Sequence, residues 1–251
     1  MKLRSLLLIL ITIVTSLDSI AKDVETLSYK VVYRWGIVNK QAGRATFINE
    51  FDNDGICRAM MYARTEPWAD RLYSVRDTLK SIYDSTTRLP YNYTRIAHEG
   101  GSYAHDQVIF SNNSNISSAN CVCLRRKKNE STTNRIETNL EANGPAVDLL
   151  SSFYYLRGLN FEKMQIGQSI VFNIFSGKRK EILKITYTGL DSIKINNNEE
   201  KCHKIIFTFS SKSGKTTSSP IKAWLSTDAK CIPMKIEGEL KIGKVQCILI
   251  N

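Results

Sequence analysis

The sequence of 251 residues lacks the short motifs that mark several common classes of enzyme. It has no Gly-x-Ser-x-Gly nucleophile motif and no Cys-x-x-Cys pair, so serine-hydrolase and dithiol redox chemistry have no support. Gly214-Lys215-Thr216 ends like a phosphate-binding loop, but Phe209 stands where that motif needs glycine. With 42% apolar and 24% charged residues, and only 13 Gly and 5 Pro, the chain is also neither disordered nor fibrous.

The sequence also lacks an apolar run of the ~20 residues that a bilayer-spanning helix needs. The N-terminal run, Leu6–Val14, follows Lys2 and Arg4 and precedes the small residues Ser19 and Ala21. This pattern predicts a secretory signal peptide over residues 1–21, with an uncleaved anchor as the less favoured alternative. We therefore expect residues 22–251 (251 − 21 = 230 residues) to be exported, soluble in the periplasm or cell envelope after cleavage near Ala21.

Acidic residues are few relative to basic ones: 24 Asp and Glu against 35 Lys and Arg give a net charge of +11. Such a surplus favours anionic partners. Because the N-terminus predicts export, we expect a lipid, an acidic glycan or another envelope component rather than nucleic acid. The basic residues are scattered, with runs only at 125–128 and 178–180, which we interpret as solvated surface.

The chain has six cysteines, which permit 15 complete disulfide pairings in an oxidising compartment. Cys121 and Cys123 are two residues apart, so they share one face of a strand. The spacing lacks the second half of a zinc ribbon. We expect packing residues or one structural bridge, leave the pairing open, and predict no cofactor.

Apolar and polar residues alternate with a period of two along most of the chain, which is typical of β-strands. Strands are predicted at 29–35, 44–51, 57–65, 71–83, 91–98, 102–110, 119–126, 169–175, 181–189, 202–210, 220–226 and 234–242. Gly243-Lys244 predicts a two-residue hairpin turn into a last strand. We predict a mainly β fold, a large curved antiparallel sheet or partly open β-barrel. It forms a single all-β exported domain over 22–251, with halves 22–144 and 145–251 as the alternative division.

One segment near the middle of the chain has helical spacing instead. Its apolar residues are Ala146, Leu149, Leu150, Phe153 and Leu156. Pro145 suits the first helical position and Gly158 suits the residue after the last turn. The pattern predicts one short amphipathic helix over 145–157, covering one end or face of the sheet.

The densest set of ionisable groups flanks Gly100-Gly101. If these glycines form a two-residue turn, His98 lies opposite Tyr103, and His105 is its diagonal neighbour on the same face. Two imidazoles and a carboxylate can hold a metal, but no third ligand has a diagnostic spacing. We predict no metal site and name His98 and His105 as the candidates should one exist, with Tyr103 a candidate ligand-binding residue.

Carboxylates, arginines and a tryptophan cluster between residues 66 and 77. Paired carboxylates are the catalytic groups of most glycoside hydrolases. Trp68, Asp70 and Asp77 are therefore candidate ligand-binding residues. An enzyme that acts on a glycan or envelope polymer through Asp70 and Asp77 is an alternative function, and cross-strand ion pairing with arginines is the competing interpretation.

Aromatic residues (11 Tyr, 9 Phe and 3 Trp) recur along the predicted strands. In a curled sheet the inward-facing rings either fill the core or line an apolar cavity, and such sheets commonly hold an apolar ligand. The leading functional prediction is non-enzymatic binding of an apolar or lipid-like ligand, or cell-envelope maintenance. No catalytic residue is predicted. An envelope assembly partner that uses an exposed sheet edge is the remaining alternative.

Several different short motifs are spread along nearly the whole mature chain. They are Tyr29-x-Val31, Trp35-Gly36, Ala42-Gly43-Arg44-Ala45, Val75-Arg76-Asp77-Thr78, Leu89-Pro90, Asp148–Arg157, Trp224–Asp228 and Ile232-Pro233. In combination they resemble an exported bacterial family, domain of unknown function 3108, over about residues 26–250. The resemblance implies an extracytoplasmic, mainly β protein of a Bacteroides-like bacterium, and it implies no activity. It gives structural roles to Asp228 in a turn, Arg157 at a helix end and Gly43 where a strand begins.

Overall fold

The computed structural model describes residues 23–112, 115–195, 197–211 and 219–250. The predicted signal peptide and its cleavage site lie outside these residues. The strands are β1 (Asp23–Trp35), β2 (Val38–Phe51), β3 (Ile56–Thr65), β4 (Val75–Asp84), β5 (Pro90–Glu99), β6 (Ser102–Asn112), β7 (Ile116–Arg126), β8 (Asn134–Asn143), β9 (Ala146–Val147), β10 (Ser169–Phe175), β11 (Lys180–Ile195), β12 (Asn198–Ser211), β13 (Ile221–Ser226), β14 (Pro233–Glu239) and β15 (Lys244–Leu249). The helices are α1 (Pro67–Asp70), α2 (Leu149–Arg157) and a 3₁₀ helix at Phe161–Lys163.

All 15 strands of the described residues belong to one sheet, in the order β8-β7-β6-β5-β4-β3-β2-β1-β15-β14-β13-β12-β11-β10-β9. Neighbours are antiparallel except for β9, which runs parallel to β10. Only Gly144 and Pro145 connect β8 to β9, the two ends of this order, so the sheet curls until its edges meet. Across this junction Asn173 Nδ2 donates to the backbone oxygens of Asn143 (2.9 Å) and Pro145 (3.2 Å). The predicted mainly β, barrel-like antiparallel sheet is confirmed.

Burial along the strands follows the same period of two as the sequence. In β6, Asp106, Val108 and Phe110 are buried, whereas Gln107 and Ile109 between them are exposed. Alternate residues of a strand point to opposite faces of a sheet. The sheet therefore has an inner face that carries the core and an outer face that meets solvent.

Gly43 lies inside β2 and not at its start, which corrects the role implied by the family resemblance. The register of β1 and β2 shifts at this position, between Val31 and Val32. A Cβ atom on residue 43 would lie 2.5 Å from the backbone oxygen of Arg64 on β3. The close approach of the two strands requires glycine here.

Several strands are longer or shorter than predicted, and two of these differences have a local cause. The strand expected from residue 71 begins at Val75, because α1 precedes it and the Leu72 N–H still donates to the Ala69 oxygen of that helix (2.9 Å). The two-residue turn expected at Gly243-Lys244 is a four-residue turn over 240–243, because Lys244 already pairs with Glu239 in the sheet.

Helix α2 begins at Leu149, later than the predicted start at Pro145, because residues 146–147 pair with β10 as β9. Asp148 caps the helix: its Oδ1 accepts hydrogen bonds from two backbone N–H groups of the first turn, each 2.7 Å. The Ser151 hydroxyl accepts one from the Asp148 N–H in return (3.0 Å). This reciprocal capping sets the start of the helix. The predicted end at Arg157 is confirmed.

Helix α2 lies on the concave side of the sheet and joins two groups of buried side chains. Phe153 and Tyr154 pack with the first half of the sheet, where the Phe153 ring stacks on Phe47 with centroids 4.5 Å apart. Leu156 packs with the second half, on β10–β13. The helix therefore fills the interior between the halves. No helix within the described ranges is long and apolar enough to cross a membrane.

All six cysteines are free thiols, so the structure contains no structural disulfide among them. The alternative prediction, that the cysteines are packing residues, describes them better. Burial raises the pKa of Cys121, Cys202 and Cys247 to about 11 and that of Cys123 to about 12. Four of the six are fully buried.

Candidate functional site

An apolar cavity of about 200 Å³ lies between α2 and both halves of the sheet. The helix contributes Leu149, Leu150, Phe153 and Leu156 to its lining. The sheet contributes ten side chains from β2–β4 and β11–β14, among them the small Ala223. The cavity therefore exists because the helix does not fill the whole interior of the curled sheet.

The lining of the cavity offers an apolar ligand a dry surface. Its one polar residue is Ser152, whose hydroxyl donates to the Leu149 oxygen of its own helix (2.8 Å). None of the described lining residues is ionisable, so the cavity has no group for acid–base chemistry. An engineered apolar cavity of about 150 Å³ stays dry and binds benzene. This cavity has room for a ligand of at least that size or for a short hydrocarbon chain.

Polar contacts tie both ends of α2 to the sheet. At its C-terminal end, Arg157 Nη1 and Nη2 donate to the two carboxylate oxygens of Glu25 on β1, at 2.6 and 2.8 Å. At its N-terminal end, the Ser81 hydroxyl on β4 donates to Asp148 Oδ2 at 2.7 Å. Charge-assisted and bidentate bonds of this kind fix geometry. They hold the helix in place, so the cavity is formed before any ligand arrives.

The N-terminal contact has an electrostatic cost. Asp148 is fully buried, and burial raises the pKa of its carboxyl to about 6, although the hydrogen bonds from Ser151, Ser81 and Leu150 lower it. The ionised form at neutral pH is stabilised only by these dipoles, because no cation pairs with Asp148 in the described part of the chain.

Trp68 and Asp70, two of the predicted ligand-binding residues, lie in α1 and are held by neighbouring side chains and backbone. The Trp68 indole N–H donates to the Gln41 oxygen (2.7 Å), and Lys40 Nζ lies 4.7 Å from its ring centroid. Asp70 accepts hydrogen bonds from Arg76 at 3.0 and 2.6 Å. Hydrogen bonding to Arg76 lowers the pKa of the Asp70 carboxyl.

Asp77, the predicted partner of Asp70, lies on the inner face of β4, with Arg95 at 3.5 Å. Burial, together with the nearby Glu99 carboxyl, raises the pKa of Asp77 to about 6. Each of the two carboxylates therefore pairs with a different arginine, Asp70 with Arg76 and Asp77 with Arg95. This pairing matches the competing interpretation, in which the two carboxylates form ion pairs with arginines.

His98 and Tyr103 face each other across the β5–β6 hairpin, as the two-glycine turn predicts, with ring centroids 5.1 Å apart. His105 pairs with Ile96 one step further along the same outer face. Within the described ranges, no three His, Cys, Asp or Glu side chains lie together as a metal site would require.

His203, which follows Cys202 in the sequence, forms its hydrogen bond with Tyr187. Its Nδ1 lies 3.1 Å from the Tyr187 hydroxyl, and its ring packs 5.4 Å from that of Phe161. Burial lowers the pKa of His203. His203 is therefore a hydrogen-bonded core residue.

The sequence identified the helical residues of the lining only as an apolar helix face, and it did not identify the ten strand residues as lining a cavity. The available signal is the alternation of Ile205, Phe207 and Phe209 along β12, which predicts one inward face. Alternation alone does not separate rings that contact the helix from rings that border empty space. That distinction depends on the curvature of the sheet.

A nearly closed antiparallel sheet with an apolar cavity beside one internal helix defines a barrel-like class of protein. The family model described as protein of unknown function (DUF3108) matches residues 28–249. The chain therefore belongs to the DUF3108 family.

Comparison with curated proteins gave no match. Among solved structures, a crystal structure described as a beta-barrel-like protein of domain of unknown function DUF1849 from Brucella abortus is similar, with a TM-score of 0.56. The two chains are 8% identical, and the match covers 90% of this chain and 95% of the other. At that identity the likeness shows the fold alone.

Proposed function

We propose that this protein binds an apolar or lipid-like ligand in the cavity beside α2 and does not convert it. The observation that carries the proposal is the cavity of about 200 Å³, with its apolar lining and its helix anchored at both ends. Ligand sites in proteins are mostly apolar and preformed. A lining without ionisable groups suits holding a molecule rather than acting on it.

We further propose that residues 22–251 work as one exported domain in the periplasm or cell envelope. The pattern of charge, apolar run and small residues over 1–21 supports export. An apolar ligand is sparingly soluble in water, so a protein that shields it would serve an aqueous envelope compartment.

The proposal is tested with a series of straight-chain 1-alkanols, from butanol to decanol, as probes of the cavity. Each added methylene that enters the cavity contributes about 0.8 kcal/mol, or about a fourfold gain in affinity. The gain stops at the chain length that fills the cavity. We expect affinity, measured by calorimetric titration, to rise with chain length and then reach a plateau.

A matched pair of variants locates the binding. Ala223→Leu adds a leucine side chain to the cavity, whereas Lys222→Leu places the same side chain on the preceding residue of β13, which faces outward. We expect the plateau to move to shorter alkanols in Ala223→Leu alone. Binding of no alkanol, or affinity that keeps rising through decanol in both variants, contradicts the proposal.

A further inference from the structure

Basic side chains on the outer face line up across strands in a row that the sequence does not reveal. Directly opposed positions on β1, β2, β3 and β4 are Lys30, Arg44, Arg64 and Arg76. The same line continues across β5 and β6 to Arg126 on β7. The sheet register therefore gathers charges that are scattered along the chain.

The row extends in the other direction across β15 and β14. From Lys30 the row continues through Ile248 on β15 and Lys235 on β14 to Trp224 on β13 and Lys204 on β12. It crosses eleven of the 15 strands, seven of its positions are Lys or Arg, and no Asp or Glu occupies a position in it. At the usual spacing of strands the row is about 48 Å long.

Part of this charge is free to meet a partner. Lys30, Arg64 and Arg126 have no carboxylate within ion-pair distance among the described residues. Other members form ion pairs, and in the pair of Arg44 with Glu66 (2.9 Å) the arginine side chain is 60% exposed. Exposed pairs are weak, so an incoming anion can replace the carboxylate.

An open groove of about 580 Å³ lies along the middle of the row, bordered from Arg44 to His98. The Tyr62 ring, 43% exposed, lies in it. Asp77 also borders the groove, but its carboxylate is directed to the inner face and contacts Arg95. The groove thus combines cations with one accessible aromatic ring.

From this arrangement we infer that the outer face binds a linear acidic polysaccharide, which lies along the row of Lys30, Arg64 and Arg126 and enters the groove. The row follows a curled sheet across eleven strands, so a flat membrane meets only part of it, whereas a flexible chain follows all of it. Single-stranded nucleic acid needs successive stacking rings. Here His98 and Arg126 cover the Tyr103 ring, and Trp224 is only 6% exposed, with Lys204 and Lys235 against its ring. Tyr62 is left as the exposed ring of the groove.

The test compares two triple variants that lose the same charge. The row variant carries Lys30→Gln, Arg64→Gln and Arg126→Gln. The control carries Lys163→Gln, Lys178→Gln and Arg179→Gln, three exposed residues away from the row. Binding of fluorescently labelled polygalacturonate is measured by anisotropy over a series of salt concentrations, with neutral dextran alongside. Circular dichroism and 1-alkanol binding show that each variant keeps its fold and its cavity.

We expect the wild-type protein to bind polygalacturonate but not dextran, and salt to weaken the binding. The row variant binds roughly 8- to 125-fold more weakly, at about two- to fivefold for each of its three charges, and the control is unchanged. Should the row variant not fold, Arg64→Gln alone shows a twofold to fivefold loss that Arg64→Lys restores. Equal losses in both triple variants overturn the inference. So does tighter binding of a single-stranded oligonucleotide of equal charge, or attachment only to vesicles of phosphatidylglycerol.

Discussion

The buried carboxyl of Asp148 makes the stability of this protein depend on pH. Its pKa in the folded chain is about 6, against an ordinary value of 3.8. A difference of about 2.2 pKa units corresponds to about 3 kcal/mol. Because the folded state favours the protonated form, this stabilisation is complete below pH 3.8 and is lost as the pH rises through about 6.

Asp148→Asn separates the charge from the helix cap. Asparagine keeps an oxygen that accepts from the two N–H groups of the first turn, but it cannot ionise. We expect the free energy of unfolding of the variant, relative to wild type, to rise by about 2.4 kcal/mol between about pH 4 and about pH 7. Asp148→Ala has the same pH dependence but is less stable by about 1 kcal/mol or more, because the cap is lost.

The assay is urea unfolding followed by tryptophan fluorescence at several pH values, with equal slopes in urea as the condition for comparing free energies. Asp77 titrates in the same range, but it is present in both proteins and cancels from the difference. A difference between Asp148→Asn and wild type that does not change with pH would refute the reasoning. A difference that falls as the pH rises would refute it as well.

Three further predictions concern the helix and the thiols. Phe153→Ala removes a ring that stacks on Phe47 and enlarges the cavity, so we expect a loss of about 3–5 kcal/mol in urea unfolding and a plateau at longer alkanols. Arg157→Met leaves the Glu25 carboxylate without its guanidinium, so thermal unfolding should show a loss of about 3 kcal/mol, much of it recovered by adding Glu25→Gln. The four buried cysteines, Cys57, Cys121, Cys123 and Cys202, should react with iodoacetamide at neutral pH only after unfolding, as mass spectrometry of the alkylated protein can show, because burial raises their pKa values.

Local signals in the sequence predicted local structure well. Gly100-Gly101 set a two-residue turn, so the pairing of His98 with Tyr103 followed from counting outward. The helix start did not follow in the same way. Pro145 is a good first residue of a helix, but residues 146–147 gain a strand partner on β10, and that partner is far away in the sequence.

Features that depend on long-range register could not be predicted. The alignment of Lys30, Arg44 and Arg64 requires the pairing of three strands to be known residue by residue, and a shift of one residue moves each side chain to the other face. The cavity depends on how far α2 fills the curled sheet, which alternation does not encode.

The central claim is that the cavity beside α2 holds an apolar ligand. Native mass spectrometry of the protein, exported from a bacterial host and purified without detergent, tests it most directly when Ala223→Leu is measured alongside. We predict an added mass on the wild-type protein that solvent extraction removes and that is absent from the variant. A bare chain mass for both proteins, or the same added mass on both, would contradict the claim.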